Sequence, residues 1–327
     1  MTKLAVLGTS YAAREVLEAL LAKGKAFETD VFVARAQVGE VVDCIDKVFA
    51  VHDAKTAHMQ DYDLAVFVGD EQLAKDYAHK WAKAGVRVIN ATDALSDYAE
   101  IPYVVAGQSN LGEKKAVNVP HRWSLPVVKA LECLAKYGIK NVRLTQLIGA
   151  DIAGQDGMSE LYNHTRRILM NENPSDKKIF PKTLAFNVIP QAGAFIGEET
   201  EYEWQMSVDV KRILGEDIKV QASCAMVPVF VGEGAFVDVE FGEEITPEEA
   251  VSSWKKAKGV LVVDTQKDGG YAALTDAQGE AEVFVSRIRS SSVAQRGLSF
   301  WVAGDVNKVS AANISELIVK MLKKEMK

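Results

Sequence analysis

Short apolar runs alternate with amphipathic segments over the first 90 residues of the chain. Lys3–Gly8 and residues 29–35, 63–69 and 86–90 are nearly continuous apolar runs, which indicates strands buried on both faces. Between them, residues 14–24 and 71–85 carry apolar side chains at helical spacing. Because strands and helices alternate, we predict an α/β domain built on a doubly wound parallel sheet.

The rhythm changes after about residue 140, where several strands follow each other more closely. The pattern predicts helices over 158–171, 200–215 and 246–259 and strands over 141–149, 218–232, 235–242, 281–289 and 297–304. Thr246, Pro247 and Glu249 form a capping box with proline at the first helical position. These segments predict a second, α+β domain with a mixed sheet.

The last amphipathic segment, residues 310–324, places five apolar side chains on one helical face: Ile314, Leu317, Ile318, Met321 and Leu322. Such a face must be buried, and we expect it to pack against the first domain. The predicted domains are therefore 1–120 with 305–327, and 121–304.

Composition excludes several classes of protein. The 327 residues carry a net charge of −7, which gives no reason to expect nucleic-acid binding, since that usually needs a basic patch. No apolar run approaches the length of a membrane span, and the first residues enter a strand without a signal-peptide pattern. The 3 cysteines lie far apart and no residues have metal-ligand spacing. We expect a cytoplasmic protein with free thiols, no metal and no membrane or nucleic-acid partner.

The segment 116–131 ends a strand and begins a helix, at which Ser124 is the predicted N-cap and Pro126 lies in the first turn. Such a turn stabilises negative charge and often holds a reactive group. Here it offers His121, Arg122 and Trp123. The pattern is compatible with chemistry at His121 and equally with a turn that has lost its chemistry.

The turn after the first strand is a candidate nucleotide site. Dinucleotide folds place several glycines there, so that pyrophosphate approaches the backbone. Only Gly8 is present, with Tyr11 and Arg14 at the later glycine positions. Ser10 can hydrogen-bond a phosphate, and Arg35 follows the second strand where the 2′-phosphate of NADP would lie. A turn that no longer admits a cofactor explains the same residues equally well.

Five segments fall in the order and spacing of aspartate-semialdehyde dehydrogenases: DLAVFVGDEQLAKDYAHKWAKAGVRVIN, FPKTLAFNVIPQAGAF, IKVQASCAMVPVF, VFVSRIR and GLSFWVAGDVNKVSAAN. The chain resembles this family over nearly its whole length. The resemblance implies a Rossmann-like NADP-binding domain, a dimerisation domain and a homodimer. It also implies reduction of aspartyl phosphate through a cysteine thioester, in amino-acid biosynthesis.

The family's catalytic positions are replaced in this sequence. On the resemblance, the cysteine position holds His121, the glutamine position Ile148 and the general-base histidine position Ser299. The two glycine-rich loops keep only Gly8 and Gly69. We therefore name no catalytic residue with an intact family role, and the pattern resembles the USG-1-like branch, whose members lack the catalytic cysteine.

Three positions match the family's substrate-binding residues. Glu203 corresponds to the acid that holds the substrate amine, Arg287 to the arginine that holds its carboxylate, and Asn118 to the first residue of the cysteine turn. The leading hypothesis is a catalytically degenerate homologue that binds a small anionic metabolite or a protein partner. The alternatives are a hydrolase or other enzyme with chemistry around His121, and a dehydrogenase that remains active. The dimer could form with itself or with an active paralogue.

Overall fold

The computed structural model describes residues 2–24, 27–37, 39–45, 47–107, 111, 114–174 and 179–322, and the side chain of Ser10 lies outside the described part. The chain divides into two compact units. The first comprises Met1–His121 with Ser310–Lys327, and the second comprises Arg122–Val309.

The first unit is built on a seven-stranded sheet with the order β3-β4-β2-β1-β5-β6-β7. Its strands are β1 (Lys3–Gly8), β2 (Glu28–Val33), β3 (Val41–Cys44), β4 (Lys47–Asp53), β5 (Leu64–Val68), β6 (Arg87–Ala91) and β7 (Ala116–Asn118), with helices α1 (Ser10–Leu21) and α2 (Glu71–Lys83). All neighbouring pairs are parallel except β3 with β4. The structure confirms the doubly wound parallel sheet.

Two apolar cores flank this sheet, because its parallel strands are buried on both faces. The five apolar residues predicted for the last helix lie in one of these cores, as expected: Ile314, Leu317, Ile318, Met321 and Leu322. The hairpin of β3 and β4 was not predicted. Its strands expose alternate residues, among them Val41 and Val48, and such short half-exposed runs resemble loop sequence.

The second unit contains a six-stranded mixed sheet with the order β11-β8-β12-β15-β14-β13. Its strands are β8 (Ile139–Ile148), β9 (Phe195–Ile196), β10 (Glu199–Thr200), β11 (Lys219–Met226), β12 (Glu233–Phe241), β13 (Val260–Val262), β14 (Val283–Ser290) and β15 (Gly297–Gly304), with β9 and β10 forming a separate antiparallel pair. The helices are α3 (Leu125–Glu132), α4 (Gly154–Leu169), α5 (Glu201–Leu214), α6 (Pro247–Lys256) and α7 (Leu274–Ala277), and α8 (Val306–Leu322) begins here.

The predicted capping box of α6 is present, since Thr246 Oγ1 accepts from the Glu249 amide and Glu249 Oε2 accepts from the Thr246 amide. The predicted side-chain cap of α3 is wrong. Ser124 precedes α3 but makes no capping hydrogen bond, because its hydroxyl donates instead to the buried carboxylate of Asp209 on α5. A competing buried acceptor has drawn the hydroxyl away from the helix end.

Candidate functional site

A row of polar side chains crosses the inner face of the second sheet. Gln146 on β8 lies opposite Cys224 on β11, and two residues further along, Ile148 lies opposite Glu233 on β12. Side chains two residues apart share a face of a strand, so Gln146 and Glu233 meet on one face. Both are 2% exposed. The sheet therefore places an amide and a carboxyl group inside the second unit.

Gln146 connects this row to the turn that precedes α3. Its Nε2 donates to the Trp123 carbonyl at 2.7 Å and to Glu233 Oε2 at 2.6 Å. The thiol of Cys224 lies 3.8 Å from Gln146 Oε1, and the Cys224 amide donates to Glu203 Oε1 at 2.9 Å. The result is one hydrogen-bonded network that holds the turn against the sheet. Glu233 Oε1 is buried and has no hydrogen-bond partner among the described residues.

A second buried cluster surrounds Asp151, which follows β8. The guanidinium of Arg122 donates to Asn307 Oδ1 and to the Ile152 carbonyl, both at 2.5 Å. Asn307 Nδ2 in turn contacts Asp151 Oδ2 at 3.3 Å. Asp305 accepts from the amides of Asn307 and Lys308 and so caps α8. The guanidinium of Arg122 therefore interacts with a region that contains the carboxyl groups of Asp151, Asp305 and Glu233.

Burial dominates the electrostatics of these carboxyl groups. It raises the pKa of Asp151 to about 6, with a further rise from the charge of Asp305 and an opposing effect of Arg122. Burial and the charge of Asp151 raise the pKa of Glu233 well above its usual range. Desolvation disfavours an ionised carboxylate, and one guanidinium does not compensate for all of them. Glu233 can therefore carry a proton where an exposed glutamate would be ionised.

Two residues at predicted family positions, Ile148 and Ser299, do not come together. Ile148 is fully buried in an apolar cluster beside Glu233. Ser299 on β15 pairs with Asp238, which pairs with Arg143, five residues before Ile148 on β8. Five residues of strand span about 17 Å. The Ser299 hydroxyl donates to Asp238 and not into the buried row.

Two predicted substrate-binding residues, Glu203 on α5 and Arg287 on β14, contact different strands of the second sheet. Glu203 bonds the Cys224 amide of β11 through one oxygen, and its other oxygen forms the capping box of α5 with Thr200. Arg287 on β14 is exposed and lies four strand positions from β11. Adjacent strands are about 4.8 Å apart, so roughly 19 Å of sheet separates β14 from β11, the strand that Glu203 contacts.

Arg287 lines an open cleft of about 560 Å³ with Lys267 and Arg289. Its backbone has a positive φ of 55°, which the carboxylate of Asp264 stabilises by accepting from the amides of Arg287 and Ile288. The lining also includes the carboxylates of Asp264 and Asp268, and since the Asp264 carboxylate is bound to the two backbone amides, the three basic side chains make the cleft a candidate site for an anion.

The remaining predicted site residues, Asn118 and His121, lie in the first unit. The Asn118 side chain is fully buried; it donates to the Leu95 carbonyl at 3.0 Å and accepts from Asn90 at 2.9 Å. His121 Nε2 lies 3.2 Å from Asp93 Oδ2. Asn118 therefore orders the end of the sheet, while His121 is oriented by a carboxylate.

None of the three thiols is placed as a nucleophile. Cys224 is buried, and burial raises the pKa of its thiol above the usual range. Burial also raises the pKa of Cys44, in the first unit. Cys133 follows α3, and its thiol contacts the Lys129 carbonyl at 3.2 Å. A nucleophilic cysteine needs a lowered pKa and access to substrate, and these thiols lack that combination.

The carboxyl edge of the first sheet carries the predicted nucleotide residues. Strands β1 and β2 run in parallel and in register, so the start of α1 and the exposed Arg35 lie along the same edge. Gly69, with φ of 74°, lets the loop after β5 approach Thr9, since a Cβ there would lie 2.8 Å from Thr9 Oγ1. Gly8 is required by packing, because a Cβ would meet the Val68 carbonyl. These groups fit a nucleotide phosphate, with helix amides at α1 and a guanidinium at Arg35.

Sequence reasoning missed Glu233, Asp151 and Gln146. One signal was available for Glu233, because the inward positions of β12 are otherwise apolar: Ala235, Val237, Val239 and Phe241. A charged residue in phase with such a run indicates a buried ionisable group.

Comparison with known proteins identifies both units. Residues 3–110 match the family model of the semialdehyde dehydrogenase NAD binding domain, and residues 131–306 match that of the semialdehyde dehydrogenase dimerisation domain. An aspartate-semialdehyde dehydrogenase of Aquifex aeolicus is 33% identical over 270 residues, covering 79% of this chain and 79% of that protein. The chain belongs to the aspartate-semialdehyde dehydrogenase family.

Solved structures of the family share the fold. An aspartate semialdehyde dehydrogenase II of Vibrio cholerae, complexed with ASA, superposes with a TM-score of 0.88 at 24% identity and covers 99% of this chain and 98% of that one. An aspartate semialdehyde dehydrogenase of Candida albicans with NADP has a TM-score of 0.68 at 18% identity, covering 99% and 98%. The Rossmann-like domain and the dimerisation domain predicted from the sequence are thereby confirmed. Among the described residues, no helix is long and apolar enough to cross a membrane, and no group of acidic, histidine or cysteine side chains could hold a metal.

Proposed function

We propose that this family member has lost thioester reduction of aspartyl phosphate and acts by binding, like the USG-1-like branch it resembles. The observation that carries the proposal is the state of the three thiols, because the reaction needs a thiolate that adds to the acyl group and leaves again. Cys224 and Cys44 are buried with raised pKa values, and Cys133 lies beyond the end of α3. His121 replaces the family cysteine, and acyl-imidazoles do not survive in water as thioesters do.

We place a bound dinucleotide at the carboxyl edge of the first sheet. The match to an NAD binding domain and the NADP named in the Candida structure support this position. Backbone amides at the start of α1 and the hydroxyl of Thr9 would hold the phosphates, and Arg35 would hold a 2′-phosphate. In an active dehydrogenase such a cofactor would supply a hydride; under this proposal it would be bound without that reaction. Asp70, which follows Gly69 in the loop after β5, accepts a 2.9 Å hydrogen bond from the Leu73 amide and so caps α2.

A second copy of the chain is the partner that the dimerisation domain favours. The outer face of the second sheet carries Phe236, 49% exposed, whose ring is tilted against that of Trp301 with centroids 4.7 Å apart. Leu261 and Tyr271 in the same unit are 46% and 44% exposed. Such an apolar surface is unusual on a monomer and is consistent with a homodimer.

Two further functions rest on single observations. The pairing of His121 with Asp93 orients an imidazole as in hydrolytic enzymes, which favours the alternative of altered chemistry at His121. Replacing His121 by alanine would abolish such an activity. A small anion would bind in the cleft of Arg287, and this variant of the binding hypothesis predicts loss of anion affinity in Arg287→Ala.

The first experiment measures turnover and cofactor binding in parallel. We expect no reduction of NADP with aspartate semialdehyde and phosphate, yet saturable enhancement of NADPH fluorescence. Arg35→Ala should weaken NADPH binding by about fivefold to tenfold while leaving NADH binding unchanged, because only NADPH carries the 2′-phosphate. Arg87→Ala, at the amino end of β6, is the matched control. Phosphate-dependent turnover would refute the proposed loss of chemistry.

A further inference from the structure

The second unit contains a cavity of about 410 Å³ beside the buried polar row. Its volume lies in the range of small-ligand sites. Most side chains in the lining are apolar, and among the described residues only those of Tyr202 and Gln191 are polar. The apolar part consists of Ile152, Ala153, Ile179, Phe180, Pro181 and Met226.

The walls of the cavity are fixed by contacts within the unit. The carboxylate of Glu160 accepts from the amides of Ile179 and Phe180 at 2.9 and 3.2 Å. Met226 exchanges two backbone hydrogen bonds with Ile189, at 2.8 and 3.0 Å. The cavity is therefore formed before a ligand arrives, which limits the entropy lost on binding.

Tyr202 is the polar group that is free to contact a ligand. Its ring stacks on Trp123, with centroids 4.5 Å apart and an interplanar angle of 11°. Its hydroxyl makes no hydrogen bond to any residue that the structure describes. Burial and the charge of Glu233 raise the pKa of Tyr202 to about 12. The hydroxyl is therefore a neutral donor held at a fixed place on the wall.

The charges around the cavity disfavour anions. Among the residues that the structure describes, the lining includes no lysine, arginine or histidine. The nearest guanidinium, Arg122, already bonds Asn307 and the Ile152 carbonyl. The carboxyl groups that raise the pKa of Tyr202 are Glu233 and Glu201, and a carboxyl group in either protonation state gives an anion no cationic partner. An anion entering this site would lose hydration without gaining a cationic partner.

We propose that this cavity binds a small uncharged ligand with an apolar body and one hydrogen-bond acceptor, which the Tyr202 hydroxyl recognises. The ligand class differs from that of an acyl phosphate, which is strongly anionic. The inference concerns the second unit alone. It names a ligand class for the proposed binding function, and only its biological role depends on that proposal.

The test compares an isosteric pair of probes, hexanamide and hexanoate, by ligand-observed NMR and tryptophan fluorescence on the full chain. We expect hexanamide to bind in the millimolar range and hexanoate at least about tenfold more weakly. Tyr202→Phe should weaken hexanamide about fivefold, because one hydrogen bond is lost and the ring stack is kept. Tyr162→Phe, at an exposed tyrosine on α4, is the matched control and should change nothing.

Ala153→Phe provides a second, independent variant that fills the cavity. We expect it to abolish hexanamide binding while circular dichroism and the unfolding midpoint remain those of the parent. Equal binding of hexanoate and hexanamide, or unchanged binding in folded Ala153→Phe, would overturn the inference. Neither result bears on turnover with aspartate semialdehyde, so failure here is distinguishable from failure of the proposed function.

Discussion

Replacing Asp151 by asparagine should remove part of the pH dependence of stability. The carboxyl group is 2% exposed, and its pKa is raised from 3.8 to about 6, chiefly by burial. In the unfolded chain it ionises near its ordinary value, so between pH 4 and 6 the folded state holds the extra proton. Stability therefore falls as the pH rises through this window and levels off above it.

The size of the effect follows from the two pKa values. The difference between 3.8 and about 6 corresponds to about 3 kcal/mol, at about 1.4 kcal/mol for each pH unit. Asparagine is neutral at every pH and retains an oxygen for the 3.3 Å contact with Asn307 Nδ2. Relative to the parent, Asp151→Asn should gain about 3 kcal/mol between pH 4 and 7, as an order of magnitude.

Urea unfolding followed by tryptophan fluorescence measures this difference, because Trp123, Trp204, Trp254 and Trp301 all belong to the second unit. The free energy of unfolding is determined at pH 4, 5, 6 and 7 for parent and variant. Asp217→Asn, in the exposed turn before β11, is the control and should follow the parent at each pH. A constant difference between Asp151→Asn and parent across this range would show that the carboxyl group is not desolvated as described.

Three further predictions concern packing and assembly. Gly69→Ala should destabilise the chain by about 1 to 3 kcal/mol in urea unfolding, because its φ is 74° and a Cβ would lie 2.8 Å from two side-chain atoms. Gly24→Ala is the control, since Gly24 has a similar φ of 62° but open space around the Cβ position. The control therefore measures the backbone strain without the steric clash. Ser124→Ala should cost about 1 to 3 kcal/mol in the same assay, because it removes a donor from the buried Asp209 carboxylate. Phe236→Asp should shift the protein from dimer to monomer in light scattering; a dimer that persists at micromolar concentration would place the interface elsewhere.

The fold could be predicted from local pattern because its parallel strands are buried on both faces. Lys3–Gly8 was predicted with the bounds the structure shows, and the run 63–69 contains β5. Prediction failed where burial was partial. The edge strand β13 has only three residues, and Leu261 within it is 46% exposed, so it leaves no periodic signal.

The site was harder to predict, because it depends on register between strands distant in sequence. The sequence around Ser299 does not show that this residue pairs with Asp238. In the same way, only the antiparallel register of β12 with β8 shows that Glu233 lies opposite Ile148. The resemblance matched positions one at a time along the chain, and such matching does not test whether they meet in space. Glu203 and Arg287 illustrate this, since each fits its motif, yet Glu203 lies on α5 against β11 and Arg287 lies on β14, four positions away in the sheet.

The turn before α3 is stabilised by hydrogen bonds from three consecutive residues, which bears on the proposed loss of chemistry. Arg122 bonds Asn307 and the Ile152 carbonyl, the Trp123 carbonyl accepts from Gln146, and Ser124 donates to Asp209. Each contact satisfies a polar group whose isolation inside the protein would cost about 1 to 3 kcal/mol. In this turn the side chains make hydrogen bonds that stabilise the fold. In a reactive turn, side chains at these positions must instead be free to contact substrate. Stabilising contacts and reactive groups compete for the same few positions, and the proposed loss of chemistry is consistent with the contacts that occupy them here.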